Sequence, residues 1–445
     1  MPSNRVLLIQ SAEYTIDRRI YSDDVNYNSF PPLGLLYIAT ILQNEGFEVK
    51  VCDMSVEQLS KAGFSAMVRD YAPSFVGLGV YASSYTLGMQ MTREIKRIFP
   101  DVPVWLGGPF ATFTWPWVLR ENPEVDGVVM YEGEQTALEL ARACCENAGH
   151  LESISGLVFR ADGELRQTAR RQRLTDLDAL PFPNRDLVQH KYYSNPFTIS
   201  TARGCVSNCI FCSSRAYWGA KYVLRSPQSI FAEVKHLAEK HPAMRTLTFA
   251  DDTLIIDRDR VLRLCDMLEQ SGLHLLWGCL ARVDEMDEEL AARMKAAGCH
   301  HVKFGIESGS DEVLRGIGKK ITLRQVVESV KILNRYGIKP VGSLILGLPQ
   351  DTLQTMEQTI DFACQLKNEH GVRIQIGLNT PFPGTPQFER SEAFGIKVHT
   401  LDWDLYDLRH AIVSTSNFSR DDLVRLYSSA TLRLHIGVPQ DERYN

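Results

Sequence analysis

Short apolar segments alternate with amphipathic segments along most of this 445-residue chain. The apolar segments have the length of buried strands, and the amphipathic segments repeat their apolar residues with the period of a helix. This alternation predicts an α/β fold with parallel sheets, because parallel strands need a crossover that is usually helical. The length allows about three units of roughly 150 residues, or fewer if one of them is a barrel.

The first part of the chain contains five βα units in succession, which predict a doubly wound parallel sheet with right-handed crossovers. The expected strands are residues 5–10, 47–53, 75–81, 102–106 and 125–131. The expected helices are residues 34–45, 56–70, 85–99, 116–121 and 134–147. A ligand of such a sheet binds beyond the carboxyl ends of the strands.

Small and polar residues follow the third, fourth and fifth expected strands. These are Ser83, Ser84, Gly107, Gly108, Pro109, Glu132 and Gly133. Glycines let a bulky ligand approach the backbone, although Gly, Ser and Pro are also common in ordinary βα turns. No G-x-G-x-x-G follows the first strand, which argues against a dinucleotide. The connection before Pro31 holds Tyr14, Tyr21 and Tyr27 and is long enough for a lid or binding loop.

Three cysteines, Cys205, Cys209 and Cys212, lie within eight residues. A structural zinc site needs four ligands, and no fourth Cys or His is near in sequence. Thiolates suit iron–sulfur clusters, which normally take four cysteines. The loop therefore predicts a [4Fe–4S] cluster with one open iron that can bind a substrate or cofactor. The other seven cysteines are expected to be buried free thiols.

A second run of βα units after the cysteines predicts a partial (β/α)6 barrel. Its expected strands are residues 246–250, 275–280, 301–304, 339–346 and 373–378, together with the strand before Gly204. Its expected helices are residues 227–240, 258–271, 287–297, 323–336 and 353–367. Polar residues follow the strands, where barrels carry their sites: Asp251, Asp252, Arg282, Glu307 and Ser308. Helix caps or structural ion pairs are the alternative explanation of these residues.

The C-x3-C-x2-C spacing, with Phe211 before the last cysteine, is the radical SAM signature. The segment Pro31-Pro32-Leu33-Gly34-Leu35-Leu36-Tyr37, the Gly107–Gly108 pair and the turn at Glu132 resemble the cobalamin-binding domain of B12-dependent radical SAM enzymes. The resemblance implies three cofactors: a [4Fe–4S] cluster, S-adenosyl-L-methionine (SAM) on its open iron, and cobalamin over the strand ends of the first sheet.

The resemblance also implies roles for the candidate residues. Asp251 and Asp252 would contact the methionine amino end of SAM, and Arg282, Glu307 and Ser308 its carboxylate and ribose. The Phe211 backbone would meet the adenine. The residues listed above after the strands of the first sheet would contact cobalamin. No His precedes His150, so this domain would supply no imidazole beneath cobalt.

Four domains are expected from these patterns. Residues 1–149 would form the Rossmann-like cobalamin-binding domain, and residues 150–195 a linker with a small hairpin. Residues 196–390 would form the radical SAM barrel, and residues 391–445 a small, mainly helical capping segment. In that segment Trp403, Tyr406 and His410 would close the barrel mouth, or its amphipathic helix would simply pack.

Composition and charge restrict the class of protein. The net charge of −6 argues against a nucleic-acid-binding surface, and no apolar run is long enough to span a membrane. The start of the chain lacks the apolar region of a signal peptide, so a cytoplasmic enzyme is expected. Its expected partners are a small-molecule substrate and an external electron donor of the flavodoxin or ferredoxin type.

The resemblance leaves more than one reaction open. The leading expectation is methylation of an unactivated carbon or phosphorus centre through methylcobalamin and a 5′-deoxyadenosyl radical. The alternative is non-methylating chemistry with the same cofactors, such as oxidative cyclisation, ring contraction or 3-amino-3-carboxypropyl transfer. A non-catalytic cluster or corrinoid sensor is less favoured, because it would not need the full set of SAM contacts. The residues do not identify a catalytic acid or base.

Overall fold

The computed structural model describes residues 4–12, 30–57, 59–146 and 149–436. The chain divides into two compact units, Met1–Pro196 and Phe197–Asn445. The tyrosine-containing connection that the sequence predicts as a lid or binding loop lies outside the described residues. No helix among the described residues is long and apolar enough to cross a bilayer.

The first unit is built on a seven-stranded sheet with the order β2-β1-β3-β4-β5-β6-β7. Its parallel strands are β1 (Arg5–Gln10), β2 (Glu48–Asp53), β3 (Phe75–Gly79), β4 (Val104–Gly107) and β5 (Gly127–Val129). The chain order reverses between β1 and β3, which is the topological switch point of a doubly wound sheet. The predicted fold of this unit is confirmed.

The predicted hairpin belongs to this sheet. Its strands β6 (Leu157–Ala161) and β7 (Glu164–Gln167) are antiparallel, and β6 pairs with β5. Leu157, Val158 and Phe159 are buried, so β6 extends the core beyond the fifth parallel strand. The sequence places this hairpin in a linker because the pairing of β6 with β5, across the intervening helix, is a tertiary contact that the sequence pattern does not show.

Helices cover the faces of the first sheet. They are α1 (Leu33–Asn44), α2 (Met54–Glu57), α3 (Lys61–Tyr71), α4 (Tyr85–Ile98), α5 (Pro109–Glu121) and α6 (Glu134–Glu146). The single helix expected over residues 56–70 is divided, and Ser60 caps α3 by accepting the Gly63 N–H at 3.1 Å. Helix α5 begins at Pro109 and continues through Pro116, whereas the sequence predicts that it begins at Pro116.

The second unit contains a six-stranded parallel sheet with the order β15-β14-β13-β12-β11-β8. Its strands and those of two short antiparallel pairs are β8 (Thr198–Ile199), β9 (Ala202–Arg203), β10 (Val223–Leu224), β11 (Thr246–Phe249), β12 (Leu276–Ala281), β13 (Cys299–Glu307), β14 (Lys339–Leu346), β15 (Arg373–Leu378), β16 (Lys397–Val398) and β17 (Val413–Ser414). The predicted partial (β/α)6 barrel is confirmed.

The helices of the second unit connect and cover these strands. They are α7 (Ser214–Trp218), α8 (Pro227–Lys240), α9 (Arg258–Gln270), α10 (Glu288–Ala296), α11 (Asp311–Gly316), α12 (Leu323–Arg335), α13 (Leu353–His370), α14 (Pro386–Glu389) and α15 (Arg420–Arg433). The C-terminal segment consists mainly of α15, with β16 and β17 as a small antiparallel pair. Trp403 and Tyr406 of this segment are buried and in ring contact with each other.

Candidate radical SAM and cobalamin sites

The three clustered cysteines lie on the loop between β9 and α7, after Gly204 at φ +96°. Cys209 is buried, Cys205 is half-buried and Cys212 is exposed. Two backbone N–H groups of the loop donate to sulfur at 3.4 Å, from Ser207 to Cys205 and from Ser214 to Cys212. These N–H groups stabilise thiolates, the form in which cysteine binds a metal.

Two backbone hydrogen bonds hold the middle of the cysteine loop on opposite sides. The Ile210 N–H donates to the Ile317 carbonyl at 3.1 Å, and the Gln387 N–H donates to the Ile210 carbonyl at 3.0 Å. Gly318 packs against the loop so closely that a Cβ there would lie 2.9 Å from the Asn208 carbonyl oxygen. The loop is therefore fixed by the segment after α11 and by the start of α14.

Several charges converge on the buried Cys209 thiol. Burial raises its pKa, Lys319 and Arg282 lower it, and Glu307 raises it. Burial, together with the negative charges of Asp252, Cys209 and Cys205, raises the pKa of the Cys212 thiol to about 11, although the Ser214 N–H lowers it. The three thiols are thus close enough to interact, and two cations face the ligand that lies deepest in the protein.

This donor set fits the expected cluster. Three free thiols on one loop provide three soft ligands, and the remaining seven cysteines lie outside residues 205–212. A [4Fe–4S] cluster held this way keeps one iron without a cysteine ligand. A cavity of about 290 Å³ adjoins Cys209 and Cys212.

Glu307 and Lys319 form a buried ion pair beside the loop. The Lys319 Nζ donates to Glu307 Oε1 at 2.8 Å, and the two side chains are 12% and 9% exposed. Burial by itself lowers the pKa of Lys319, but Glu307 and Cys209 raise it above its ordinary value. A Cβ at Gly305 would collide with Glu307 Oε1 and lie 2.7 Å from Lys319 Nζ. Glycine at this position therefore leaves room for the pair.

The backbone at Glu307 is strained. Glu307 has φ +67°, and the Ser308 N–H donates to the Ile306 carbonyl at 2.9 Å across it. A three-residue turn with a positive central φ is a γ-turn of the rare, strained type. The register between β13 and β14 shifts between Gly305 and Glu307. Strain of this kind persists where the surroundings impose it, and it concentrates at functional sites.

Arg282 connects the end of β12 to the cysteine loop. Its guanidinium donates to Ser207 Oγ at 2.6 Å, to Asp284 Oδ2 at 2.8 Å and to the Lys319 carbonyl at 3.3 Å. Arg282 therefore lies beside the cysteine loop. Its ion pair with Asp284 matches the structural alternative, and its expected contact with SAM stays a prediction.

The two predicted aspartates after β11 differ in environment. Asp251 is buried, and its carboxylate accepts the Thr201 and Ala202 N–H groups at 2.6 and 2.9 Å and also the Thr201 hydroxyl. Burial raises the pKa of Asp251. Asp252 is exposed and accepts the Ser214 hydroxyl at 2.5 Å, next to Cys212. Asp252 therefore faces the cluster ligands, whereas Asp251 fixes the backbone that leads into the loop.

Phe211 and Ser308 are also placed near this region. Phe211 is half-buried between Ile210 and Cys212 in the loop. Ser308 is fully buried, and its Oγ lies 3.2 Å from Thr359 Oγ1 on α13. The Ser308 side chain therefore attaches the Glu307 turn to a barrel helix.

In the first unit, a polar network spans the switch point between β1 and β3. The Ser11 N–H and hydroxyl both donate to the Gly79 carbonyl at 3.1 Å, and Ser11 Oγ lies 2.6 Å from Ser84 Oγ. Ser84 also accepts the Tyr81 N–H at 2.9 Å. Ser84 therefore holds the two strand ends together, and Ser83 beside it is buried.

The glycines after β4 leave space at this edge of the sheet. A Cβ at Gly107 would have the Val129 carbonyl oxygen as its nearest neighbour, at 3.9 Å, so packing does not require glycine there. Gly108 needs a positive φ of +99° and precedes Pro109, the first residue of α5. Tyr81, two residues after β3, is 58% exposed. An open backbone edge with an exposed ring fits a bulky, flat ligand such as a corrinoid.

The predicted residues after β5 make contacts within the unit. Glu132 is buried and accepts the Leu174 N–H at 2.8 Å. A Cβ at Gly133 would lie 3.0 Å from Ile38 Cδ1, so glycine there permits close packing against α1. These contacts shape the edge, and they occupy the Glu132 carboxylate in part.

Sequence reasoning missed several residues that hold the barrel site. Lys319 was not expected to pair with Glu307, and Thr201 and Arg260 were not expected to support Asp251. Arg260 donates to the Thr201 carbonyl and hydroxyl at 2.9 and 3.0 Å. The one signal for Lys319 in the sequence is its place after a glycine, in a segment without helical or strand period.

Comparison with known proteins agrees with this geometry. The Radical SAM superfamily model matches residues 199–363, and the B12 binding domain model matches residues 24–141. An uncharacterized methyltransferase of Pyrococcus horikoshii is 32% identical over 410 residues, which cover 91% of this chain and 88% of the relative. An anaerobic magnesium-protoporphyrin IX monomethyl ester cyclase of Rubrivivax gelatinosus is 27% identical over 407 residues, covering 89% and 72% of the two chains.

A solved structure has the same fold. The radical S-adenosylmethionine methyltransferase TsrM of Kitasatospora setae, with cobalamin and a [4Fe–4S] cluster bound, superimposes with a TM-score of 0.74 at 19% identity. The match covers 99% of this chain and 90% of that one. The cofactors are a [4Fe–4S] cluster, SAM and cobalamin, and the chain belongs to the radical SAM enzymes that carry a B12-binding domain.

Proposed function

We propose that this enzyme is a cobalamin-dependent radical SAM methyltransferase that methylates a carbon or phosphorus centre of a small molecule. The observation that carries the proposal is the similarity to a relative named as a methyltransferase. The two sequences are 32% identical over 91% of this chain and 88% of the relative. The three-cysteine loop and the open glycine edge of the first sheet provide places for both cofactors that such a reaction needs.

When bound, the cluster with SAM supplies a hydrogen-abstracting radical, and cobalamin supplies the methyl group. Around the cluster, Asp252, Arg282 and Glu307 are proposed to hold the polar end and ribose of SAM. Asp251 and Ser308 are proposed to act through the backbone, because their side chains are bound to Thr201 and Thr359. The Phe211 backbone is proposed to meet the adenine.

Cobalamin is proposed to lie over Gly107, Gly108 and Pro109, with Ser83 and Ser84 near its nucleotide tail. Glu132 and Gly133 would then shape the far side of the same edge. Residues 1–149 contain no histidine, so this domain would offer no imidazole to cobalt. A single electron per radical event is proposed to come from an external flavodoxin or ferredoxin.

The second candidate is a non-methylating reaction with the same cofactors. The 27% identity to a cyclase over 89% of this chain favours keeping it. The two reactions differ in how SAM is consumed. Radical methylation uses one SAM molecule as the methyl source and another as the radical source. A non-methylating radical reaction needs only the SAM molecule that gives the radical.

Product analysis distinguishes the two candidates. The reconstituted enzyme is incubated anaerobically with reductant, cobalamin, SAM carrying a CD3 group and a low-molecular-weight cell extract. Methylation predicts S-adenosylhomocysteine and 5′-deoxyadenosine in equal amounts and a small molecule that gains the CD3 group. If 5′-deoxyadenosine forms without S-adenosylhomocysteine, methylation is refuted and the non-methylating reaction is supported. If methylthioadenosine forms instead, the reaction is aminocarboxypropyl transfer.

A further inference from the structure

A lysine lies on the inward face of β13, at the middle of the strand. Phe304 and Ile306 are fully buried and belong to the apolar face of this strand. Because side chains alternate along a strand, Lys303 points to the opposite face, which in a βα barrel is the interior. A Cβ at Gly305, two residues further on, would collide with Glu307 Oε1. Lys303 therefore shares its face with the carboxylate that lies beside the cluster loop.

The surroundings of the Lys303 ammonium are largely apolar. The side chain is half-buried, and its neighbours in register are Leu280 on β12 and Val341 on β14. Burial lowers the pKa of Lys303, although Glu307 opposes this change. Glu307 is itself paired with Lys319 at 2.8 Å, and no residue that the structure describes forms an ion pair or hydrogen bond with the Lys303 ammonium. A partly buried cation without a partner lowers stability, so packing alone does not explain this lysine.

A second polar side chain faces the same interior from β15. Gly305, Ser343 and Gln375 are neighbours in register across β13, β14 and β15, so their side chains share one face. The Ser343 hydroxyl donates to the Phe304 carbonyl at 3.2 Å. Gln375 is half-buried, and within the described part of the chain its side-chain amide has no hydrogen-bond partner. Strands β13 and β15 lie about 10 Å apart, so Lys303 and Gln375 can both contact one small ligand between them.

The two side chains together have the chemistry of an anion site. Lysine provides a positive charge and three donors, and the glutamine amide adds two further donors. Attraction between a cation and an anion is stronger in apolar surroundings than in water. We propose that Lys303, together with Gln375, binds a carboxylate or phosphate group of the substrate inside the barrel. The inference rests on the proposed function, because it names the substrate class, an anionic small molecule, for the same enzyme.

The test measures anion binding at Lys303 by nuclear magnetic resonance. The holoenzyme with SAM is prepared with lysine that carries 13C at Cε, and the Lys303 signal is identified by its absence in Lys303→Met. Sodium phosphate, sodium propionate and neutral propionamide are added at constant ionic strength. We expect at least one anion to shift the Lys303 signal with half-saturation below about 10 mM, and propionamide to leave it unchanged. The anion that saturates at the lower concentration identifies the group as phosphate or carboxylate.

Lys331 is the matched control in the same sample, because it is an exposed lysine on α12. Its signal should not saturate with either anion. Gln375→Leu should weaken the saturating anion at Lys303 by about threefold or more. Equal responses of Lys303 and Lys331, no saturation with either anion, or unchanged affinity in Gln375→Leu would overturn the proposed site.

Stability separates a binding role of Lys303 from a structural role. Lys303→Met removes a partly buried cation that has no partner among the described residues, so its urea midpoint should equal or exceed that of the wild type. A lower midpoint would overturn the proposal, because the lysine would then support the fold. None of these measurements detects methyl transfer, so failure of the proposed function is a separate result.

Discussion

Glu307 and Lys319 are joined by a 2.8 Å ion pair that lies beside the buried Cys209 thiol, and Gly305 leaves the space that the pair occupies. Glu307 itself has a strained backbone at φ +67°. A buried carboxylate on a strained backbone destabilises the folded state, and this one also requires a neighbouring cation and a glycine at position 305. Its position next to the cluster loop explains why the cost is tolerated.

Replacement of Lys319 by methionine should therefore destabilise the protein and weaken SAM binding. The variant leaves the Glu307 carboxylate buried without its cation, which typically costs about 3 kcal/mol. Urea unfolding measures the loss, and equilibrium dialysis with SAM measures binding. Lys331→Met, at an exposed position on α12, is the control and should change neither quantity. Wild-type stability and SAM affinity in Lys319→Met would show that the pair is dispensable.

Removal of all three loop thiols should abolish the cluster. The Cys205→Ala, Cys209→Ala, Cys212→Ala variant should bind almost no iron after anaerobic reconstitution, because no other cysteine lies within residues 205–212. Iron and sulfide analysis and the visible spectrum provide the measurement. Cys364→Ala, a half-buried thiol on α13, is the control and should keep the full spectrum. A complete cluster in the triple variant would refute the ligand assignment.

Gly107 allows a clean test of the corrinoid site. The nearest atom to a Cβ at this position is 3.9 Å away, so the fold itself should accept a side chain. Gly107→Leu should then weaken cobalamin binding at least about tenfold, or about 1.4 kcal/mol, while circular dichroism stays unchanged. Gly107→Ala should have a smaller effect, because it adds only one carbon. Full cobalamin affinity in the leucine variant would place the ligand elsewhere.

Asp351 should make stability depend on pH. Burial raises its pKa to about 6, although it accepts N–H groups from Gly347 and Leu348 at 3.1 and 2.9 Å. Because the folded pKa lies above the unfolded value, the protonated form favours folding. This contribution is present below about pH 4 and is lost as pH rises to about 6, by roughly 3 kcal/mol.

The comparison of wild type with Asp351→Asn isolates this effect. Between about pH 4 and pH 7, the wild type should lose stability relative to the variant as pH rises. Thermal unfolding at each pH gives the difference. Asp259→Asn, at an exposed position on α9, is the control and should follow the wild type. A difference between wild type and Asp351→Asn that is independent of pH would contradict the raised pKa.

Much of the fold could be predicted because both sheets are built from βα units with clear periods. The helix boundaries that were missed depend on tertiary context. At Pro116, the helix loses a backbone donor but continues because Phe110, Ala111 and Val118 on either side are buried. The position of the β6–β7 hairpin could not be predicted, because which strand it pairs with is decided by the burial of Phe159 and its neighbours.

The candidate site was predictable where chemistry is local and less so where it depends on contacts. Cys205, Cys209 and Cys212 are recognisable from spacing alone. The difference between Asp251 and Asp252 is invisible in the sequence, since it comes from Thr201 reaching one carboxylate and Ser214 the other. In the same way, no sequence pattern around Glu307 indicates that Lys319 forms an ion pair with it.

The two backbone hydrogen bonds at Ile210 also have a consequence for cluster assembly. Both partners, Ile317 and Gln387, belong to the folded barrel, and neither bond passes through a cysteine sulfur. The conformational entropy of the loop is therefore lost when the protein folds, so that binding of iron and sulfide need not order the loop. We therefore expect a chain without its cluster to keep the loop in place, so that a cluster can be rebuilt on the same chain as long as its three thiols stay reduced.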